Sequence, residues 1–137
     1  MKESEFIYSE KVSFIEHATK QVKAFALFTK QHFYIFPTSS VASFMVVKVK
    51  NKYAYTSDYM KKVVQLAKEL SEEDFYTKMK KILPENRIIN VRYLIEFNVF
   101  SRWYASGIGF QTQNDDHRVI GVRPRATGKK LVAFYHK

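Results

Sequence analysis

The spacing of hydrophobic residues changes twice along this chain, and this limits the folds open to it. In the first and last thirds, apolar and aromatic residues form short runs or alternate with polar ones, as in β-strands. Between about residues 58 and 83 they recur every third or fourth position, as in amphipathic helices. This order predicts an α+β domain: a mainly antiparallel sheet with two consecutive mid-chain helices packing on one face.

The two central helices have clear boundaries in the sequence. Thr56 or Ser57 can cap the first helix. Its apolar stripe consists of Met60, Val63, Val64, Ala67 and Leu70. Ser71 precedes three acidic residues that suit the first turn of a second helix, and Pro84 prevents that helix from continuing.

Several strands are expected around the helices. Residues 22–28 and 32–36 are apolar runs on either side of a short polar segment, which predicts a β-hairpin. Residues 1–19 fit either a strand or a helix. Further strands are predicted at residues 41–49, 88–104 and 108–112, with a final hairpin made of residues 118–123 and 130–135.

Residues 22–37 (VKAFALFTKQHFYIFP) resemble an early hairpin of pleckstrin-homology-like or GRAM-type domains. The resemblance implies a fold that ends in a single helix and a domain that binds lipid headgroups or peptides. It covers under an eighth of the chain, and two mid-chain helices depart from the pattern, so no family is assigned from it.

Length and composition favour one ordinary globular domain over residues 1–137, because no linker or repeat interrupts the chain. The absence of cysteine excludes disulfides, thiol nucleophiles and cysteine-ligated metals. The acidic N-terminus has no apolar region typical of a secretory signal, and no segment is long enough to span a bilayer. These features predict a cytoplasmic protein.

The net charge of +10 is concentrated in two blocks. Residues 20–62 carry eight lysines against Asp58, and residues 118–137 carry three arginines and three lysines with no acid. If the fold joins the two blocks, the resulting patch would attract a polyanion such as DNA or RNA, or an acidic protein. Contact with a membrane surface also stays open. The alternative is that the charge only maintains solubility.

The expected contact residues flank the turn of the predicted last hairpin. They are Arg118, Arg123, Arg125, Lys129 and Lys130, assisted by Lys48, Lys50 and Lys52 on one strand face. Arginine forks suit phosphate oxygens, and neighbouring aromatic rings can stack on unpaired bases. For the three central lysines alone, the simpler interpretation is an edge strand protected against unwanted pairing.

Other chemistry-bearing residues favour structural roles. Trp103 could be a stacking platform at the mouth of a site, but it is expected to fill the core. His32 is expected to be a hydrogen-bonded structural histidine. Asp115, Asp116 and His117 could hold a divalent metal, but three polar residues in a row are more typical of a β-turn. No catalytic, metal or cofactor residue is predicted.

The leading interpretation is therefore a non-enzymatic binding module with a basic face for an anionic partner, nucleic acid first. The first alternative is a protein-interaction module (an adaptor, inhibitor or complex subunit) that uses aromatic surface and strand edges. A small metal-dependent enzyme around Asp115, Asp116 and His117 is the second alternative.

Overall fold

The computed structural model describes residues 1–17, 20–38, 55–113 and 117–135. The strands are β1 (Phe6–His17), β2 (Lys20–Thr29), β3 (His32–Pro37), β4 (Ile88–Asn90), β5 (Glu96–Ser101), β6 (Ser106–Gln111) and β7 (His117–Arg123). The α-helices are α1 (Ser57–Glu69), α2 (Glu72–Ile82) and α3 (Arg125–Tyr135). Short 3-10 turns cover Glu3–Glu5, Glu85–Arg87 and Val91–Tyr93.

The seven strands form one antiparallel sheet in the order β4-β3-β2-β1-β7-β6-β5. The long strand β1 is central and pairs with both β2 and β7, so the first and last strands of the chain are neighbours in the sheet. A register shift interrupts the pairing of β1 with β2 between Ser9 and Val12. The predicted α+β architecture is confirmed.

The two consecutive helices begin as the sequence predicts. The Thr56 hydroxyl accepts from the backbone N–H of Tyr59 at 3.2 Å, and the Ser71 hydroxyl accepts from that of Asp74 at 3.1 Å. Each bond satisfies one of the N–H groups that a helix N-terminus leaves without an intrahelical partner. The buried side chains of the two helices are Met60, Val63, Ala67, Phe75 and Met79.

Strands β2 and β3 separate two hydrophobic cores, because successive side chains of a strand point to opposite faces. Phe25 and Leu27 pack with α1 and α2 in the outer core. Ala26 and Phe28 pack with residues of β6, β7 and α3 in the inner core. The sheet therefore has apolar partners on both faces of this hairpin, which explains why β3 is almost entirely hydrophobic.

His32 has the structural role that the sequence predicts. Its ring is buried, stacks on Tyr76 with centroids 4.1 Å apart, and places Nδ1 3.3 Å from Oε2 of Glu72. The Thr29 hydroxyl donates to the same carboxylate oxygen at 2.7 Å. This cluster fastens the β2–β3 hairpin to the start of α2.

The predicted final hairpin is wrong. Residues 118–123 form β7, but residues 130–135 belong to helix α3. A short apolar run fits both structures, and here Leu131 and Tyr135 lie on one side of a helix that packs against the inner core.

One further predicted strand is divided in the structure, and another lies outside the described residues. Residues 88–104 do not form one strand, because a 3-10 turn at Val91–Tyr93 separates β4 from β5. The bend before β6 lies at Arg102–Ala105, where the two terminal residues exchange backbone hydrogen bonds of 2.7 and 3.3 Å. The strand predicted at residues 41–49 lies outside the described residues.

Candidate functional site

Arg123 and Arg125 are the two predicted contact residues that the fold brings to a shared surface. Arg123 ends β7, Arg125 begins α3, and both side chains are exposed. Lys129 follows Arg125 by one helical turn and therefore lies on the same side of α3. Arg118 lies at the other end of β7 and is partly buried, so it faces a different region. Lys130 is exposed on α3.

A groove of about 620 Å³ runs beside Arg123 and Arg125, which is within the size range of small-ligand sites. Parts of β1, β2, the end of β7, the start of α3 and the β5–β6 turn line it. Its cationic residues are Lys11, Lys23, Arg102, Arg123 and Arg125, and the acid in its lining is Glu10. We call this feature the basic groove.

Strand pairing explains how distant residues meet in the basic groove. Lys11 on β1 lies directly opposite Arg123 on β7. Ser13, two positions later on the same face of β1, lies opposite Lys23 on β2. The strand order β2-β1-β7 thus joins cations from the beginning and the end of the chain on one sheet face.

Positive charge exceeds negative charge in the lining of the basic groove, where five cations accompany the carboxylate of Glu10. The structure records no ion pair there for Lys11, Lys23, Arg102, Arg123 or Arg125. Like charges placed opposite each other on paired strands repel. The N-terminus of α3 adds positive potential at Arg125, and its first turn has no acidic residue to offset it. An anion in the groove would relieve this repulsion.

Polar side chains complete the floor of the groove. The amide nitrogen of Gln21 donates a hydrogen bond to the Ser13 hydroxyl, and both residues line the groove. Thr38 and Ser106 also line the groove, where the Thr38 hydroxyl donates to the Lys23 carbonyl at 3.4 Å and the Ser106 hydroxyl lies 3.3 Å from that of Ser101. The lining of the groove is therefore polar as well as charged.

The prediction that Trp103 fills the core is wrong. Its side chain is 82% exposed and that of Tyr104 is 64% exposed. Both residues belong to the tight turn between β5 and β6, which presents their rings at the rim of the basic groove. The rings lie 5.4 Å apart, edge to face. A turn this short leaves no second layer of chain to cover them.

Sequence reasoning missed Lys11, Lys23 and Arg102. The signal for Arg102 was its position beside Trp103 and Tyr104, a combination of cation and aromatic rings at a turn. Lys23 belongs to the basic block of residues 20–62, but nothing in the sequence places Lys23 or Lys11 near Arg123, because that depends on the strand order.

The other candidate residues lie elsewhere. Lys48, Lys50, Lys52, Asp115 and Asp116 are outside the described residues. His117 is exposed at the start of β7 and lines a second cavity of about 400 Å³. Across the described ranges, no three His, Asp or Glu side chains are grouped in a way that could hold a metal ion.

Among the described residues, no helix has the length and apolar character needed to cross a membrane. A scan of family models, a search of curated proteins and a search of solved structures found no match to this chain. The basic groove is therefore interpreted from its own residues.

Proposed function

We propose that this chain is a non-enzymatic binding module that holds nucleic acid by its phosphates in the basic groove. One observation supports this above all: five cations from four separate parts of the chain surround one groove without an ion pair recorded among the described residues. Phosphate contacts of this kind supply affinity with little choice of sequence.

Arg123 and Arg125 are the central residues of the proposal. A guanidinium group presents several N–H donors in a plane and can hold two oxygens of one phosphate. The two arginines follow each other around the junction of β7 and α3, and Lys11 faces Arg123 across the sheet. A cytoplasmic location, which cell fractionation would check, is part of this proposal because RNA and DNA are accessible there.

Charge reversal tests the proposal. We expect the double variant Arg123→Glu, Arg125→Glu to bind labelled nucleic acid at least about tenfold more weakly, because two phosphate contacts become repulsive. The measurement is fluorescence anisotropy from low to physiological salt. For the unmodified protein, log affinity should fall linearly with log salt concentration, and the slope should be shallower in the variant.

The matched control is Lys61→Glu, Lys62→Glu on the exposed side of α1. Each substitution of a cation by Glu lowers the net charge by two, so both double variants have a net charge of +6 instead of +10. Equal loss of binding in both variants would mean that net charge alone attracts the nucleic acid. Unchanged binding in the arginine variant would remove the groove from the proposal.

A protein partner is the second candidate, because Tyr93 and Ile95 are more than half exposed near the edge strand β5. Aromatic and aliphatic anchors of this kind are typical of protein interfaces. Binding that survives salt able to remove phosphate contacts, and that is lost in Ile95→Asp, would favour this function over nucleic acid.

A further inference from the structure

We infer that the basic groove selects single-stranded nucleic acid, because Trp103 and Tyr104 provide surfaces on which unpaired bases stack. This inference rests on the proposed function and specifies its ligand. The phosphates would follow the cations of the groove, while one or two bases turn toward the rim.

The exposure of Trp103 is the first argument. An indole ring carries a large apolar surface, and 82% of this side chain is in contact with water. Tyr104 beside it is 64% exposed, so two neighbouring rings form one apolar surface on a turn. Within the described structure, neither ring packs into either hydrophobic core.

The position of these rings is the second argument. They border the same groove as Arg123 and Arg125, and Arg102 directly precedes Trp103. Consecutive nucleotides of a single strand offer a phosphate and a free base face in alternation. The groove offers both kinds of contact, with cations along its lining and two rings at the β5–β6 turn. A duplex keeps its bases stacked inside and offers only its phosphates to such a surface.

The shape of the surface also favours nucleic acid over an anionic membrane. The cations line a concave groove that lies between the sheet and the β5–β6 turn, rather than a flat or convex face. A flexible single strand can follow the groove along its length, whereas a bilayer would reach it only through individual headgroups. Membrane binding is nevertheless an outcome that the experiment must be able to detect.

The experiment compares three labelled probes of about twelve nucleotides, a length within the site sizes of single-strand-binding domains. The first is single-stranded oligouridine. The second is an abasic strand with the same number of phosphates. The third is an RNA duplex of equal length. We expect the first to bind at least about fivefold more tightly than the other two, since stacking contributes about 1–3 kcal/mol per base.

Trp103 is the only tryptophan, so its fluorescence reports directly on the proposed contact. We expect quenching by oligouridine and little quenching by the abasic strand at equal saturation. Trp103→Ala should weaken oligouridine binding about five- to 100-fold and leave duplex binding unchanged, while Trp103→Phe should recover part of the affinity. Because the side chain is exposed, these variants remove no core packing.

Tyr93→Ala is the matched control, since it removes another exposed aromatic ring that does not line the groove. It should leave all three affinities unchanged. Equal binding of the three probes, with no effect of Trp103→Ala, would overturn stacking and leave the phosphate-binding proposal intact. Failure of every probe at physiological salt would overturn both proposals. Binding confined to phosphatidylserine vesicles, with a blue shift of Trp103, would also overturn both and identify a membrane ligand.

Discussion

Gly128 lies where helix α3 comes closest to strand β6. A Cβ atom at this position would overlap the side chain of Ser106, so the absence of a side chain sets the distance between the two elements. Gly107 has a similar role inside the sheet, where a Cβ would overlap the carbonyl oxygen of Ile120. Gly109 differs from both, because no atom lies within 4 Å of the position that its Cβ would occupy.

We therefore expect Gly128→Ala to lower the free energy of unfolding by up to about 2 kcal/mol. Overpacking costs about 1–3 kcal/mol, and a gain of about 1 kcal/mol in helix propensity offsets part of that cost. Urea unfolding followed by circular dichroism measures the difference. Gly109→Ala is the control and should change the free energy by less than about 0.5 kcal/mol. A stabilised Gly128→Ala would contradict the close packing of α3 on β6.

For a single residue, sequence patterns predict the environment that is usual for its type, but they do not predict departures from it. His32 is between apolar neighbours, and its buried hydrogen-bonded role follows from that pattern. Trp103 has the same apolar character as core residues, but its exposure depends on a four-residue turn that places it beyond the sheet. The side chain alone does not contain that information.

Helix α3 is fixed by its last aromatic residue. The Tyr135 ring packs edge to face on Phe33 and Phe97, with centroids 5.9 and 5.1 Å away. Its hydroxyl donates to the backbone carbonyl of Thr29 at 2.5 Å. Burial, and to a smaller extent the charge of Glu72, raises the pKa of Tyr135 well above 10.0. Burial likewise raises the pKa of Tyr34, with smaller effects from Glu72 and Tyr76.

We expect stability to fall in alkaline solution. The raised pKa values mean that the folded state keeps these tyrosines neutral while the unfolded chain ionises them above about pH 10, so the free energy of unfolding decreases as pH rises. Each buried tyrosine contributes up to about 1.4 kcal/mol per pH unit. Urea unfolding from about pH 8 to about pH 11, with tyrosinate absorbance recorded in parallel, measures this.

The Tyr135→Phe variant isolates the contribution of α3. It should lower stability at neutral pH by about 1 kcal/mol through loss of the hydrogen bond, and it should show a shallower decrease in alkaline solution. Tyr93→Phe, the same change on an exposed ring, should leave neutral-pH stability within about 0.5 kcal/mol. If the free energy of unfolding decreased equally steeply with pH in Tyr135→Phe and in the unmodified protein, Tyr135 would not contribute to the loss of stability in alkaline solution.

The elements that the sequence predicts correctly have long periodic patterns or clear end signals. α1 and α2 have both, and the β2–β3 hairpin has two long apolar runs. α3 has neither, because Thr127 and Gly128 look like turn residues and its apolar part is short. Tertiary contacts with Phe33 and Thr29 decide its structure, and those partners are about 100 residues earlier in the chain.

The charge of the whole molecule is distributed so that part of it opposes folding. Lys11 and Arg123 face each other on paired strands, and Arg125 lies two positions further along the chain. The sequence shows two basic blocks but not this arrangement, since the cations of β1 lie outside both blocks. Sites that bind a charged ligand often reduce stability in this way when empty.

We expect Arg123→Gln to raise the free energy of unfolding by about 0.2–1 kcal/mol at low salt, because one of two opposing charges is removed. The gain should shrink at about 0.15 M salt, where screening weakens the repulsion. Urea unfolding at both salt concentrations measures the effect. Lys61→Gln on α1 is the control and should show no comparable gain. A loss of stability in Arg123→Gln would mean that this arginine has a stabilising partner.

Helices α1 and α2 lie between β3 and β4 in the chain, and these two strands are neighbours in the sheet. The basic groove takes none of its lining from residues 55–101. Selection can therefore act on the two regions independently. Substitutions on the outer side of α1 and α2 can accumulate without altering the groove, and changes at the β5–β6 turn can alter the surface of the groove without disturbing those helices. Divergent descendants of such a chain would keep one scaffold while the surface of the groove changed.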